Sequence, residues 1–152
     1  MSSAARLALE RAGIEVPPLA RPAAAYIPAR RHGDLLFCSG VTGGAGRGKV
    51  RGAEDLAVAR VAAADAARQQ LAVIEGALGS LDAVDYIVRL TGYVACADSF
   101  ERCPEVVNGA SEVFLAGFGA GGEHARSAIG VAALPGGAMV EIEVIVAVRH
   151  DS

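Results

Sequence analysis

Residues 124–148, HARSAIGVAALPGGAMVEIEVIVAV, read as two β-strands joined by a Leu-Pro-Gly-Gly turn. In the second strand Val140, Ile142, Val144, Val146 and Val148 point one way, and Glu141, Glu143, Ile145, Ala147 and Arg149 point the other. One face is wholly apolar and the other half apolar. Such a strand fits a sheet covered by helices on one side and by a subunit contact with polar groups at one end on the other. The same stretch sets Arg126 and Glu141 on otherwise apolar strands, where an unpaired charge is costly. They are the candidate functional residues.

Working outward, residues 104–118 read as a helix with proline in its first turn and Val106, Val107, Ala110, Val113 and Phe114 on its buried side. Before it, DYIVRLTGYVA at 85–95 reads as a central strand. Residues 54–78 form the clearest helix: Leu56, Ala59, Ala63, Ala67, Leu71, Ile74 and Leu78 recur at helical spacing, and Gly79 is its stop. Alanines on that stripe allow close approach to a sheet. The runs 25–30 and 35–39 suggest a hairpin around His32-Gly33-Asp34, and 40–52 is a glycine-rich loop with a brief strand at 49–51. Residues 2–13 have the serines, helix formers and closing glycine of a short helix, and 16–22 carry three prolines and read as an extended connector. The order is β-β-α-β-α-β-β with a helix in front, divided into an N-terminal helix and proline-rich extension at 1–24 and one domain at 25–152.

A chain of 152 residues fits one domain with its own core. Its hydrophobic fraction of 53% is largely alanine and valine with few aromatics, which suits an extra buried surface such as a subunit interface. A net charge of −3 without a basic stripe argues against nucleic acid as a partner. No long uncharged apolar span or secretory leader is present, so a cytosolic protein with no membrane contact is expected. Three cysteines, Cys38, Cys96 and Cys103, lack C-x-x-C spacing and read as reduced thiols. The isolated His32, His124 and His150 give no metal-ligand spacing, although His124, two residues before Arg126, could border a pocket. GGAGRGK at 43–49 imitates a phosphate loop, but Val50 stands where a Ser or Thr is needed. Ser39 lacks the G-x-S-x-G elbow, and Cys38 reads as a small core residue.

An arginine offers a fixed fork that matches a carboxylate bidentately. A glutamate nearby can deprotonate a water aimed at an electrophilic carbon beside that carboxylate. Together they describe hydrolysis of a small carboxylate-bearing substrate. From the spacing alone, a plain salt bridge between neighbouring strands explains the pair at least as well.

RSAIGVAALP from Arg126, followed by VEIE at 140–143, resembles the signature of the reactive-intermediate deaminase family, also called the YjgF or endoribonuclease L-PSP family. LLFCSG at 35–40 and SLDAVDYIVRLTGYV at 80–94 are similar to two further segments of that family, and the spacing 141 − 126 = 15 agrees with its pattern. The resemblance implies a chorismate-mutase-like α+β sandwich, a mixed β-sheet with two main helices on one face, assembled as a homotrimer with ligand clefts between subunits. It implies hydrolysis of 2-imino acids and their enamine tautomers to 2-keto acids and ammonia, with no cofactor or metal. Carried over by position, Arg126 clamps the substrate carboxylate and Glu141 positions the water. Tyr26, 39 − 26 = 13 residues before Ser39, lines the cleft; Ser39 and Gly40 form its wall, and Asn108 matches a pocket asparagine with one residue of extra spacing. Ala128, Val41 and AYIP at 25–28 depart from the common pattern, which marks a divergent subgroup and leaves the substrate open. Two alternatives stand beside hydrolysis: keto-acid binding without turnover, and the ribonuclease activity in the family's other name.

Overall fold

In chain order the elements are the helix Ala4–Arg11 (α1), the strands Ala29–His32 (β1), Leu35–Cys38 (β2) and Val41–Thr42 (β3), the helix Leu56–Leu78 (α2), the strand Val84–Ala95 (β4), the helix Cys103–Phe118 (α3), and the strands Ala125–Val131 (β5) and Val140–Val148 (β6). The structure, a computed structural model, describes residues 3–22 and 24–150, so Ser2 of the expected first helix lies outside the described residues. One sheet runs β1-β2-β6-β4-β5, with β3 beside β6 further along. Only β4 and β5 are parallel, and α3 is the crossover that such a pair requires. The two strands of the 124–148 stretch are therefore not neighbours: β4 runs between them.

Both long helices cover one face. Val140, Ile142, Val144, Val146 and Val148 are all buried there, against Leu90, Val94 and the alanine stripe of α2. The other face carries exposed Leu35, Phe37, Tyr86 and Ile129 beside Glu141 and Glu143. Two expectations are corrected. The first strand starts at Ala29, because its register is set by β2 and Pro28 has no N–H for a ladder. The brief strand at 49–51 is a single bridge from Val50 to Cys96, whereas β3 forms at Val41–Thr42 through pairing with β6. The phosphate-loop lookalike has its amides taken: Gly43 donates to the Val140 carbonyl and Gly44 to Asp65, and α2 begins only at Leu56.

Helix α1 is held at its first turn. Ser3 Oγ accepts from Arg6 N, and the Asp82 carboxylate accepts from Ala4 N and Ala5 N, each at 3.0 Å. Arg6 forms a two-pronged ion pair with Glu75 of α2, and Leu9 is buried. The backbone donors hold Asp82 below the usual carboxylate range. Its stabilisation is therefore complete above the ordinary aspartate value and is lost as pH falls through the depressed one. Asp82→Ala is expected to lower stability by about 1 kcal/mol, on the scale of an N-cap. Denaturant melts at neutral pH check the loss.

Candidate functional site

The first half of the site forms where β2 passes into β3. Between the pairs Phe37–Ile145 and Val41–Ile142 one side advances 41 − 37 = 4 residues and the other 145 − 142 = 3, so one extra residue bulges out. Fully buried Gln70 of α2 mends the broken ladder, its Nε2 donating to Ser39 O at 2.8 Å and Ile142 O at 2.7 Å. Ser39 N donates to Pro28 O, and its hydroxyl to Ile27 O at 2.7 Å, so this side chain ties down the segment behind Tyr26 rather than serving as a nucleophile. At Gly40 a Cβ would stand 2.9 Å from Glu141 Cδ, so only glycine leaves room for that carboxyl.

Tyr26, Ser39, Gly40 and Glu141 line a cleft of about 360 Å³, together with the proline strap 18–22. Burial, followed by the neighbouring Glu143 carboxylate, pushes the Glu141 pKa up. Glu143 accepts from Tyr93 Oη at 2.6 Å, and chiefly through that bond the Tyr93 phenol is pushed up to about 12. A carboxylate with a raised pKa is a stronger base than one in water. If Glu141 works ionised, kcat/KM falls as pH drops through a value above the ordinary glutamate pKa. Glu141→Gln is expected to lose most of the activity, and the small residual rate should lack that acidic limb. The same variant removes a half-buried charge and is expected to melt above the parent at neutral pH.

The second half is on β5. Arg126 sends Nη1 to Asn108 Oδ1 at 2.7 Å and Ser111 Oγ at 3.1 Å, and Nη2 to the Pro104 carbonyl at 3.4 Å, all on α3. Ser111 Oγ lies 2.9 Å from His124 Nε2, and His124 Nδ1 lies 2.6 Å from Gly122 O. A carbonyl only accepts, so Nδ1 carries the hydrogen and a neutral ring has Nε2 free to accept from Ser111. The chain of donation then runs from Arg126 to Ser111 to His124 to Gly122. Every acceptor is uncharged. Of the five guanidinium N–H groups, Nε–H and one Nη2–H have no partner among the described residues, and they form the edge that takes a carboxylate bidentately.

One chain does not bring the halves together. Glu141 aligns with Tyr93 of β4 and through it with Ile129 of β5, two strand spacings across and three residues along from Arg126. That offset corresponds to about 14 Å between Cα atoms. Arg126 also points to the helix face and Glu141 to the open one. A salt bridge between them is excluded, and neither forms an ion pair with any described residue.

Residues 18–148 match the family model described as endoribonuclease L-PSP. The chain belongs to the endoribonuclease L-PSP family. Among curated proteins, protein TCP17 of Trypanosoma cruzi is 36% identical over 93% of this chain and 92% of its own. A crystal structure of a protein of unknown function from Agrobacterium tumefaciens is 34% identical, with a TM-score of 0.86 over 97% of this chain and 93% of that one. RidA from an Antarctic Psychrobacter species is 26% identical, with a TM-score of 0.59 over 88% of this chain and 94% of that one. The mixed α+β fold with one sheet and two main helices is thus the L-PSP fold, as the resemblance implied. Sequence reasoning missed Gln70, Ser111 and the strap wall. Gln70 had a signal, since it is a polar residue three positions after Ala67 and four before Ile74 on an apolar stripe; Ser111 and the strap had none.

Proposed function

We propose that this L-PSP family member hydrolyses small 2-imino and enamine carboxylates to 2-keto acids and ammonia, in clefts completed by a second copy within a homotrimer. The observation that carries the reading is that Arg126 and Glu141 are each without a counter-ion among the described residues and lie on opposite faces of one sheet. The exposed Leu35, Phe37, Tyr86 and Ile129 supply the apolar surface for such a contact. Arg126 of one copy takes the carboxylate on its Nε–Nη2 edge, with Asn108 and Ser111 aiming it. Glu141 of the next removes a proton from water as the water oxygen bonds to the imine carbon. That proton passes to the imine nitrogen and gives a carbinolamine, whose hydroxyl proton then moves to nitrogen as the C=O bond forms and the C–N bond breaks, so that ammonia leaves a 2-keto acid. The chemistry requires no cofactor, and buried Cys38, Cys96 and Cys103, all unbridged, suit a reducing cytosol.

The test follows ammonia and 2-keto acid release from 2-iminobutanoate generated in situ. No acceleration over the buffer blank would sink the hydrolytic reading. Random assembly of equal amounts of Arg126→Ala and Glu141→Gln chains is expected to restore about a quarter of the clefts, because each cleft draws one group from each of two copies. Mixed preparations that stay as inactive as their components would refute sharing between subunits. Val41 in the cleft wall, where many family members have glutamine, favours a second reading: keto-acid binding without turnover. Saturable 2-oxobutanoate binding with no hydrolysis would identify it. The acidic net charge does not favour RNA as the ligand.

A further inference from the structure

The strap at 18–22 is fixed rather than draped. Leu9 and Val16 are buried, and Arg68 Nε of α2 donates to Glu15 O at 2.7 Å. Leu19 then lies directly on α2: a Cβ at Gly76 would stand 2.7 Å from Leu19 Cδ2. Prolines 17, 18 and 22 hold φ along the run, and Pro22 restricts Arg21 to extended backbone. Arg21 is exposed and forms no hydrogen bond or ion pair with a described residue, and among the residues lining the Glu141 cleft it is the one cation. It is not the counter-ion of Glu141, since burial and Glu143 both push that carboxyl upward.

We propose that Arg21 binds a second anionic group of the substrate, so that the cleft prefers 2-imino and 2-keto acids carrying a carboxylate at the far end of the carbon chain. The inference rests on the reading above, in which Arg126 of a neighbouring copy holds the first carboxylate. A cleft of about 360 Å³ is larger than a four-carbon acid needs. Glu141 and Glu143 repel a dianion, so a ligand of that charge needs an offsetting cation on the wall. The planar fork of Arg21, held on a restrained backbone, supplies one.

Calorimetric titration of the full chain with 2-oxopentanoate and 2-oxoglutarate tests this directly, because the two acids share five carbons and differ in the second carboxylate. The expected result is tighter binding of 2-oxoglutarate by about tenfold, the scale of one charge-assisted hydrogen bond. Arg21→Ala removes that preference, weakening 2-oxoglutarate about tenfold more than 2-oxopentanoate, Arg21→Glu reverses it, and Arg21→Lys retains part of it. Equal affinities in the parent, or a preference that survives Arg21→Ala, overturn the role of Arg21. If 2-oxopentanoate binds, and that binding is lost in Arg126→Ala, the proposed function survives such a failure. If neither acid binds while 2-iminobutanoate is still hydrolysed, the Arg21 proposal falls alone; if neither acid binds and no hydrolysis is seen, both readings fail. Arg21 is exposed and forms no hydrogen bond or ion pair with a described residue, so unchanged circular dichroism is expected in all three variants.

Discussion

Arg126→Ala is expected to lower kcat/KM for imine hydrolysis by roughly 30- to 5,000-fold, which corresponds to the 2–5 kcal/mol typical of truncating one partner of a desolvated charge pair. The loss should fall on substrate and transition state alike, because the carboxylate keeps its charge throughout the reaction. KM therefore rises more than kcat falls. Arg126→Lys is expected to be intermediate: an ammonium keeps the charge but cannot present two parallel N–H groups to one carboxylate. Folding should change little. The three acceptors on α3 are neutral; Pro104 is exposed, Asn108 is half-buried, and buried Ser111 keeps His124 as a partner, so the stability change stays within about 1 kcal/mol. Steady-state kinetics beside a thermal melt separates the two effects, and a large fall in melting temperature would make the kinetic loss a folding effect.

Gly109→Ala is expected to destabilise the protein by about 1–3 kcal/mol, and Gly109→Val by more. In α3 a Cβ at this position would stand 2.3 Å from the backbone oxygen of Arg60 in α2. The Arg60 guanidinium bridges the same crossing, donating to Glu105 O and to Glu112 Oε1, each at 2.9 Å. Neither backbone can turn aside as a flexible side chain would. Alanine is the better helix former by up to about 1 kcal/mol, but that gain is smaller than the cost of forcing two helices apart. For a chain of this size each kcal/mol lowers the melting temperature by roughly 2–4 °C. Asn108 is the adjacent residue, so the same substitution should also raise KM by moving an acceptor of Arg126. A variant that melts with the parent would show that the helices can separate freely there.

The parts legible in the sequence were those with local signals. The period-two alternation from Val140 to Val148 marked a strand with one apolar face, and the three- and four-residue spacing from Leu56 to Leu78 marked α2. Strand order was not legible, because whether β4 lies between β5 and β6 depends on pairings between residues far apart in the chain. For that reason a salt bridge between Arg126 and Glu141 looked sufficient until the sheet placed them on opposite faces. The family resemblance supplied candidate residues but not their grouping. Asn108, whose spacing was one residue long, touches Arg126, whereas Tyr26, Ser39 and Gly40 gather around Glu141. His124 carried a weak hint, and its use became visible only once α3 brought Ser111 within 2.9 Å of its ring. The strand shift at Ala29 and the two-residue β3 follow from pairing, which short segments do not encode.

If the clefts are shared between copies, the distance between Arg126 and Glu141 also makes protein concentration a variable of the chemistry. Under the shared-cleft reading, a lone chain carries the clamp and the base but cannot apply both to one molecule. Activity per mole should then fall on dilution with the mass-action curve of assembly, at constant fold and constant substrate. A cell that makes less of this protein would lose more than a proportionate share of its activity.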